Sequence, residues 1–363
     1  MFDIKTNKAI CVIPWVQKYK NISGLDAPCC HSETFDTKEN IEVVKSQMLK
    51  GIKPRVCKGC YKNEEQTSWS YRILETNTWL KRHGAPDLTD PKIEWLDLRY
   101  NPTCNMKCKI CGPLYSTLWQ KEKGLKIKTN HDSVKILHNT NKKHLKKVVL
   151  AGGEPTYIKE YLEFLDELEK VNADCEIILI SNLKKLPDAW KEIICKFKNL
   201  TVVCSLDAIE DLGCYVRYPL EWKSFVENVD FVSKNANFLQ WNPTAYNLTA
   251  HKLYETCLWM SQYSKAINLN ILYKPQYFSE HAVPHEQRNA YVNNLEKLQK
   301  IKIDIHYAVR FRSEIKQLIQ MYANNEYNEK LRADLVRELD QQDTHRSLKL
   351  KDVDQFLYSW IYR

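Results

Sequence analysis

From about residue 93 the sequence alternates between short β-type runs and longer helical stretches, and few architectures accept that pattern. The runs are IEWLDLRY (93–100), KKVVLAGG (146–153), CEIILISN (175–182), NLTVVCSLD (199–207), FLQWNPTAY (238–246) and INLNILYK (267–274). Several are nearly continuous apolar stretches, as parallel strands buried on both faces require. Between them lie helical patterns at 157–171, 188–198, 222–235 and 251–264. Six βα units predict an α/β fold, either an open doubly wound sheet or a partial (β/α)6 barrel of the TIM type. The first 90 or so residues break the alternation with cysteine-rich loops and one helical stretch, and residues from 284 onward are helical and strongly charged. The expected division is a cysteine-rich module at 1–90, the barrel at 91–283 and a helical C-terminal extension at 284–363. No stretch approaches the roughly 20 apolar residues needed to span a bilayer. The opening MFDIKTNKAICVIPW lacks the apolar core of a secretory signal, so the expected location is the cytosol.

Thirteen cysteines in a reducing compartment call for something other than disulfides. Eight of them lie in the first 111 residues in clustered spacings and read as metal ligands. The other five (Cys175, Cys195, Cys204, Cys214 and Cys257) are scattered, mostly in apolar runs, and are expected to be small buried core residues. The formal charge of +9 is spread along the chain without a dense basic tract. That distribution suits a solvated surface, and no recognised motif supports nucleic-acid binding.

Immediately after the first run comes NPTCNMKCKICGP, which sets Cys104, Cys108 and Cys111 within eight residues at the C-terminal end of a strand. Three thiolates on such a loop can cap one face of an iron–sulfur cube. A [4Fe–4S] cluster normally takes four cysteines, so three would leave one iron open, and an open coordination site marks a centre that binds substrate or cofactor. A structural zinc knuckle with a fourth ligand from elsewhere is the competing reading.

The C-x3-C-x2-C spacing after the first strand, with Ile110 just before the last cysteine, resembles the radical S-adenosylmethionine (radical SAM) superfamily. The second run ends in Gly152-Gly153-Glu154-Pro155, which resembles that superfamily's Gly-Gly-Glu element. The resemblance covers roughly residues 93–275 and implies a partial barrel holding a [4Fe–4S] cluster on Cys104, Cys108 and Cys111. It further implies that S-adenosylmethionine binds through its amino group near Gly152, Gly153 and Glu154. Glycines there let a backbone approach closely. At the ends of the third and fourth runs stand Ser181-Asn182-Leu183 and Ser205-Leu206-Asp207-Ala208, where similar sequences carry Thr-Asn-Gly and Ser-φ-Asp-Gly. Ser181, Asn182, Ser205 and Asp207 are therefore implied cofactor contacts, although both family glycines are missing. Arg217 falls where relatives place an arginine near the cofactor's carboxylate. The implied chemistry is reductive cleavage of S-adenosylmethionine to a 5′-deoxyadenosyl radical, fed by a donor such as flavodoxin or ferredoxin, followed by hydrogen abstraction from a substrate.

Cys11-x12-Gly24-x4-Cys29 followed by Cys57-x2-Cys60 resembles the auxiliary-cluster module called SPASM or, in its one-cluster form, twitch. In most relatives that module follows the barrel, whereas here it precedes it. Cys11, Cys29, Cys57 and Cys60 would fully ligate a second [4Fe–4S] cluster. Cys30 could replace Cys29, and a Zn(Cys)4 site is the competing occupant. Trp15, Tyr61, Trp69 and Tyr71 are expected to shield this module. Twitch-type relatives imply a peptide or protein substrate. RNA, a nucleoside or a small metabolite are alternatives, and a zinc-stapled nucleic-acid binder without catalysis is the reading from another class. No residue acting on the substrate is identifiable.

Overall fold

A computed structural model of the chain describes residues 3–35, 39–67, 69–88, 90–99, 101–126 and 132–363. It divides into two compact units. One comprises Met1–Cys104, Pro113–Ile180 and Ala189–Leu200; the other comprises Asn105–Gly112, Ser181–Asp188 and Thr201–Arg363.

Six strands, β1 (Gln17–Lys20), β2 (Trp95–Leu98), β3 (Lys147–Leu150), β4 (Glu176–Ser181), β5 (Leu200–Cys204) and β6 (Phe238–Trp241), form a sheet in the order of the chain. The pairings of β1 with β2, β2 with β3, β3 with β4 and β5 with β6 are parallel. This is the α/β fold expected, with a parallel six-stranded sheet as a partial barrel requires and a helical C-terminal region. All four residues of β2 and of β3 are buried, as strands covered on both faces must be. Their two polar members are paired. Asp97 takes Arg99 Nε at 3.0 Å, and Lys147 Nζ reaches Glu75 at 3.0 Å over the Trp95 ring. Tyr100, which closes the first run, lies outside the described residues.

Two details differ from the sequence reading. The sheet begins in the segment read as a separate module, because Gln17–Lys20 pairs with Trp95–Leu98. Around it a hydrophobic cluster joins Ile10, Val12, Trp15, Val44 and Trp79 to Trp95 and Val149 of β2 and β3. Residues 1–90 are therefore packed into the first unit rather than forming one of their own. At the other end, the run 238–246 splits at Pro243, which has no N–H for a ladder. β6 stops at Trp241, and the short β7 (Thr244–Ala245) pairs instead with β8 (Asn270–Ile271), all that is regular strand in the run 267–274. The helices agree closely with the sequence pattern: Lys159–Asn172, Asp188–Lys196, Trp222–Asn235 and Leu253–Met260. Of the five scattered cysteines, Cys175, Cys204 and Cys257 are buried and Cys214 is half-buried. Cys195 is exposed, because Asp188–Lys196 turns Trp190, Ile193 and Ile194 inward instead.

Candidate functional site

The loop after β2 leads to the first cysteine along a path fixed by the Gly-Gly-Glu segment. Asn101 and Thr103 carbonyls accept from the N–H groups of Gly153 at 2.9 Å and Glu154 at 2.7 Å. The Cys104 N–H donates to Thr117 Oγ1 at 3.2 Å. A Cβ on Gly153 would stand 2.2 Å from the Thr103 carbonyl oxygen, and one on Gly152, whose φ is +139°, 2.9 Å from that of Asn101. The close approach that requires glycine is thus made by the cysteine loop of the chain itself. The Glu154 carboxylate is buried and accepts from the Thr156 N–H at 3.2 Å and hydroxyl at 2.8 Å.

In the second unit the rest of the loop is paired as tightly. Lys107 and Lys109 N–H groups donate to the carbonyls of Tyr218 at 2.6 Å and Val216 at 2.8 Å. Cys108 and Cys111 are half-buried. Burial raises both thiols, Cys111 to about 12 with Cys108 adding to the rise, while Arg217 pulls both downward. Neutral thiols of this kind bind metal by releasing their protons.

Asn182 donates to Asn105 Oδ1 at 2.8 Å and accepts from the Lys184 N–H at 2.9 Å, which ties the end of β4 to the residue after Cys104. Ser181 accepts from the Leu183 N–H at 3.1 Å, and the Ser205 N–H donates to the Ser181 carbonyl at 3.0 Å. Leu183 stands where relatives carry glycine and keeps the left-handed backbone, with φ +50°, at a cost of about 1–2 kcal/mol. Asp207 and Arg217, both implied contacts of the cofactor, form an ion pair with each other: Nη2 donates to Oδ1 at 3.2 Å, and Nε stands 2.9 Å from Oδ2. Thr244 N–H also donates to Asp207, at 2.9 Å. Thr103, Asn105 and Thr117 were not apparent from sequence, because only the fold brings their polar atoms to these partners.

The N-terminal cysteines converge. Cys11, Cys29, Cys57 and Cys60 line one narrow hollow, with Pro14 and Tyr71 among its walls. Cys30 is not among the residues that line it; its thiol is hydrogen-bonded to Tyr71 and burial raises it to about 11. Burial likewise pushes Cys11 to about 12 and raises Cys29, Cys57 and Cys60. Arg72, the cation on the hollow's wall, is buried and held by Glu64 through Nε at 2.9 Å and Nη2 at 2.6 Å. Of the aromatic residues expected to shield this region, Trp15 and Tyr61 are buried in its core, and Tyr61 donates to the Ala9 carbonyl at 2.8 Å. Trp69 is half-buried.

Among the described residues no three Cys, His, Asp or Glu side chains are gathered as a site for a single metal ion. Fit to a cluster rests on the donor sets. Three thiols on one loop, none of them in a disulfide, suit a cube that keeps an iron open, and four thiols around one hollow suit a fully ligated cube.

Residues 98–236 match the family model described as the Radical SAM superfamily. No curated protein matches the chain. Among solved structures, native anSMEcpe with bound AdoMet is 18% identical over 55% of this chain and 58% of that one, with a TM-score of 0.41. Streptococcus suis SuiB bound to S-adenosylmethionine is 16% identical over 74% and 62%, with a TM-score of 0.41. TYW1 with a lysine–pyruvate adduct is 15% identical over 54% and 70%, with a TM-score of 0.35. Overlaps this loose assign nothing to the present chain. The family match thus concerns residues 98–236, less than half of the chain, and the chain spans 58% of the length of anSMEcpe.

Proposed function

We propose that the chain binds a [4Fe–4S] cluster through Cys104, Cys108 and Cys111, binds S-adenosylmethionine beside it, and abstracts hydrogen from a peptide or protein substrate. When bound, the cluster and S-adenosylmethionine supply a 5′-deoxyadenosyl radical upon reduction by a donor such as flavodoxin or ferredoxin. One observation carries the reading. The Gly153 and Glu154 backbone is hydrogen-bonded to Asn101 and Thr103, so the Gly-Gly-Glu element and the approach to Cys104 form one piece of structure. Thr156 holds the Glu154 carboxylate in a buried position, where it can accept from an ammonium group with little competition from water. Asn182 keeps Asn105 in place, and the Asp207–Arg217 pair sets a fixed charge distribution near Cys108.

The N-terminal hollow is read as the seat of a second [4Fe–4S] cluster on Cys11, Cys29, Cys57 and Cys60, supported by the convergence of those four side chains. The preference for a peptide or protein rests on the likeness of this cysteine set to a twitch module.

Titration of S-adenosylmethionine into reconstituted Glu154→Ala tests the reading. Loss of a charge-assisted hydrogen bond of about 1.5–3 kcal/mol should weaken binding roughly ten- to a hundredfold. Unchanged affinity would remove Glu154 from the site.

A further inference from the structure

The C-terminal extension has no part in the chemistry proposed above, yet its helix Glu329–Asp343 ends against the cysteine loop, within the second unit. Asp343 is the last residue of that helix, and the helix has no basic residue in its own last turn. A carboxylate at a helix C-terminus is disfavoured by the helix dipole, so some cation has to compensate it. The compensating charge comes from between the cluster cysteines. Lys109 is buried, pairs with Asp343 Oδ1, and lies with its Nζ 4.1 Å from the centre of the Tyr215 ring. Tyr215 donates its hydroxyl to Asp343 Oδ2 at 2.8 Å.

The main chain repeats the arrangement. On one side the N–H groups of Lys107 and Lys109 donate to the carbonyls of Tyr218 and Val216. On the other, the carbonyls of the same two residues accept from Arg346 Nη2 at 3.1 Å and Gln342 Nε2 at 3.2 Å. Cys108 sits between two residues whose backbone donors and acceptors are all engaged. A lysine taken out of water needs a partner of this quality, and a buried pair serves best where it specifies one geometry.

We infer that the Lys109–Asp343–Tyr215 cluster is a clamp through which the C-terminal extension holds the loop segment 105–112 in the conformation that presents Cys108 and Cys111 to iron. These three are positioning residues, and the inference rests on the assignment of the barrel cluster above. Groups that orient metal ligands typically tune metal retention as well as stability.

The test uses the full chain, anaerobically reconstituted, as wild type, Asp343→Asn, Tyr215→Phe and the control Asp334→Asn, whose carboxylate faces exposed Arg337 on the same helix. The Cys104/Cys108/Cys111→Ala variant defines the share of iron belonging to the barrel loop. The readouts are the rate at which a chelator removes that share, the EPR g-values of the reduced cluster, and the melting temperature of the metal-free chain. Asp343→Asn should lose the barrel iron about tenfold faster than wild type and show shifted g-values. Tyr215→Phe, which keeps the ion pair and loses one hydrogen bond, should lose it about threefold faster. Asp334→Asn should match wild type. If Asp343→Asn does not fold, Tyr215→Phe decides. Lower melting temperatures with wild-type iron retention and g-values would overturn the clamp while leaving the cluster assignment intact. A wild type whose iron the triple cysteine variant fully retains would overturn both.

Discussion

The two groups of cysteines in this chain meet different surroundings. Cys104, Cys108 and Cys111 are half-buried on an irregular loop whose backbone is paired on several sides. Cys11, Cys29 and Cys57 are buried among Ile10, Val12, Trp15, Val44, Met48 and Trp79, with Cys60 at the edge. The contrast suits the division of labour proposed for them. A cluster that keeps one iron open must admit a cofactor, so its ligands need a face toward solvent. A fully ligated cluster has no such need, and apolar walls protect it. The N-terminal cysteines are also set in a hydrophobic core rather than in place of one. The core is present, and it is continuous with β2 and β3.

That contrast breaks most visibly if metal proves to hold the N-terminal segment together. Cys57→Ala with Cys60→Ala should remove about four of about eight irons, one cube of two, yet the first unit should stay folded on its apolar core. Iron analysis with circular dichroism checks this, and loss of structure along with the iron would mean that metal and not the core holds the segment together. A second test sharpens the other side. Arg217→Met strands the buried Asp207 carboxylate near Cys108, at an expected cost of about 3–5 kcal/mol, read from the urea midpoint. A change under about 1 kcal/mol, the range of exposed pairs, would mean the pair is solvated. The smallest effect separates neighbours. Cys30→Ser should leave the iron content at the wild-type value, whereas Cys29→Ser should lower it by the share of the hollow. Equal losses would make Cys30 a ligand as well, although Cys29 and not Cys30 lines the hollow.

Much of the fold was legible because buried parallel strands advertise themselves as apolar runs, and β2 through β5 do so. β1 was not, since QKYK buries only Gln17 and Tyr19 and sends Lys18 and Lys20 to Asp26. Its period-two pattern is real but only four residues long. Pro243 was visible in the run 238–246, and its missing N–H explains why β6 ends where it does. For the candidate site, cysteine spacing singled out two groups of thiols and left Cys29 and Cys30 as alternatives; Cys29 is the one that lines the hollow. The Gly-Gly element was read as making room for a ligand, yet its tightest contact is the Thr103 carbonyl. Missing family glycines proved a weak guide to backbone shape, because Leu183 holds the left-handed conformation without one. Lys109 and Asp343, 234 positions apart, could be joined only by the fold.

The central claim is that Cys104, Cys108 and Cys111 carry the cluster at which S-adenosylmethionine is cleaved. Anaerobically reconstituted, dithionite-reduced wild type and the Cys104/Cys108/Cys111→Ala variant should be incubated with S-adenosylmethionine and assayed for 5′-deoxyadenosine. Wild type should produce it, and the variant, with its N-terminal iron retained, should produce none. Equal formation of 5′-deoxyadenosine by the variant would contradict the assignment of these three thiols.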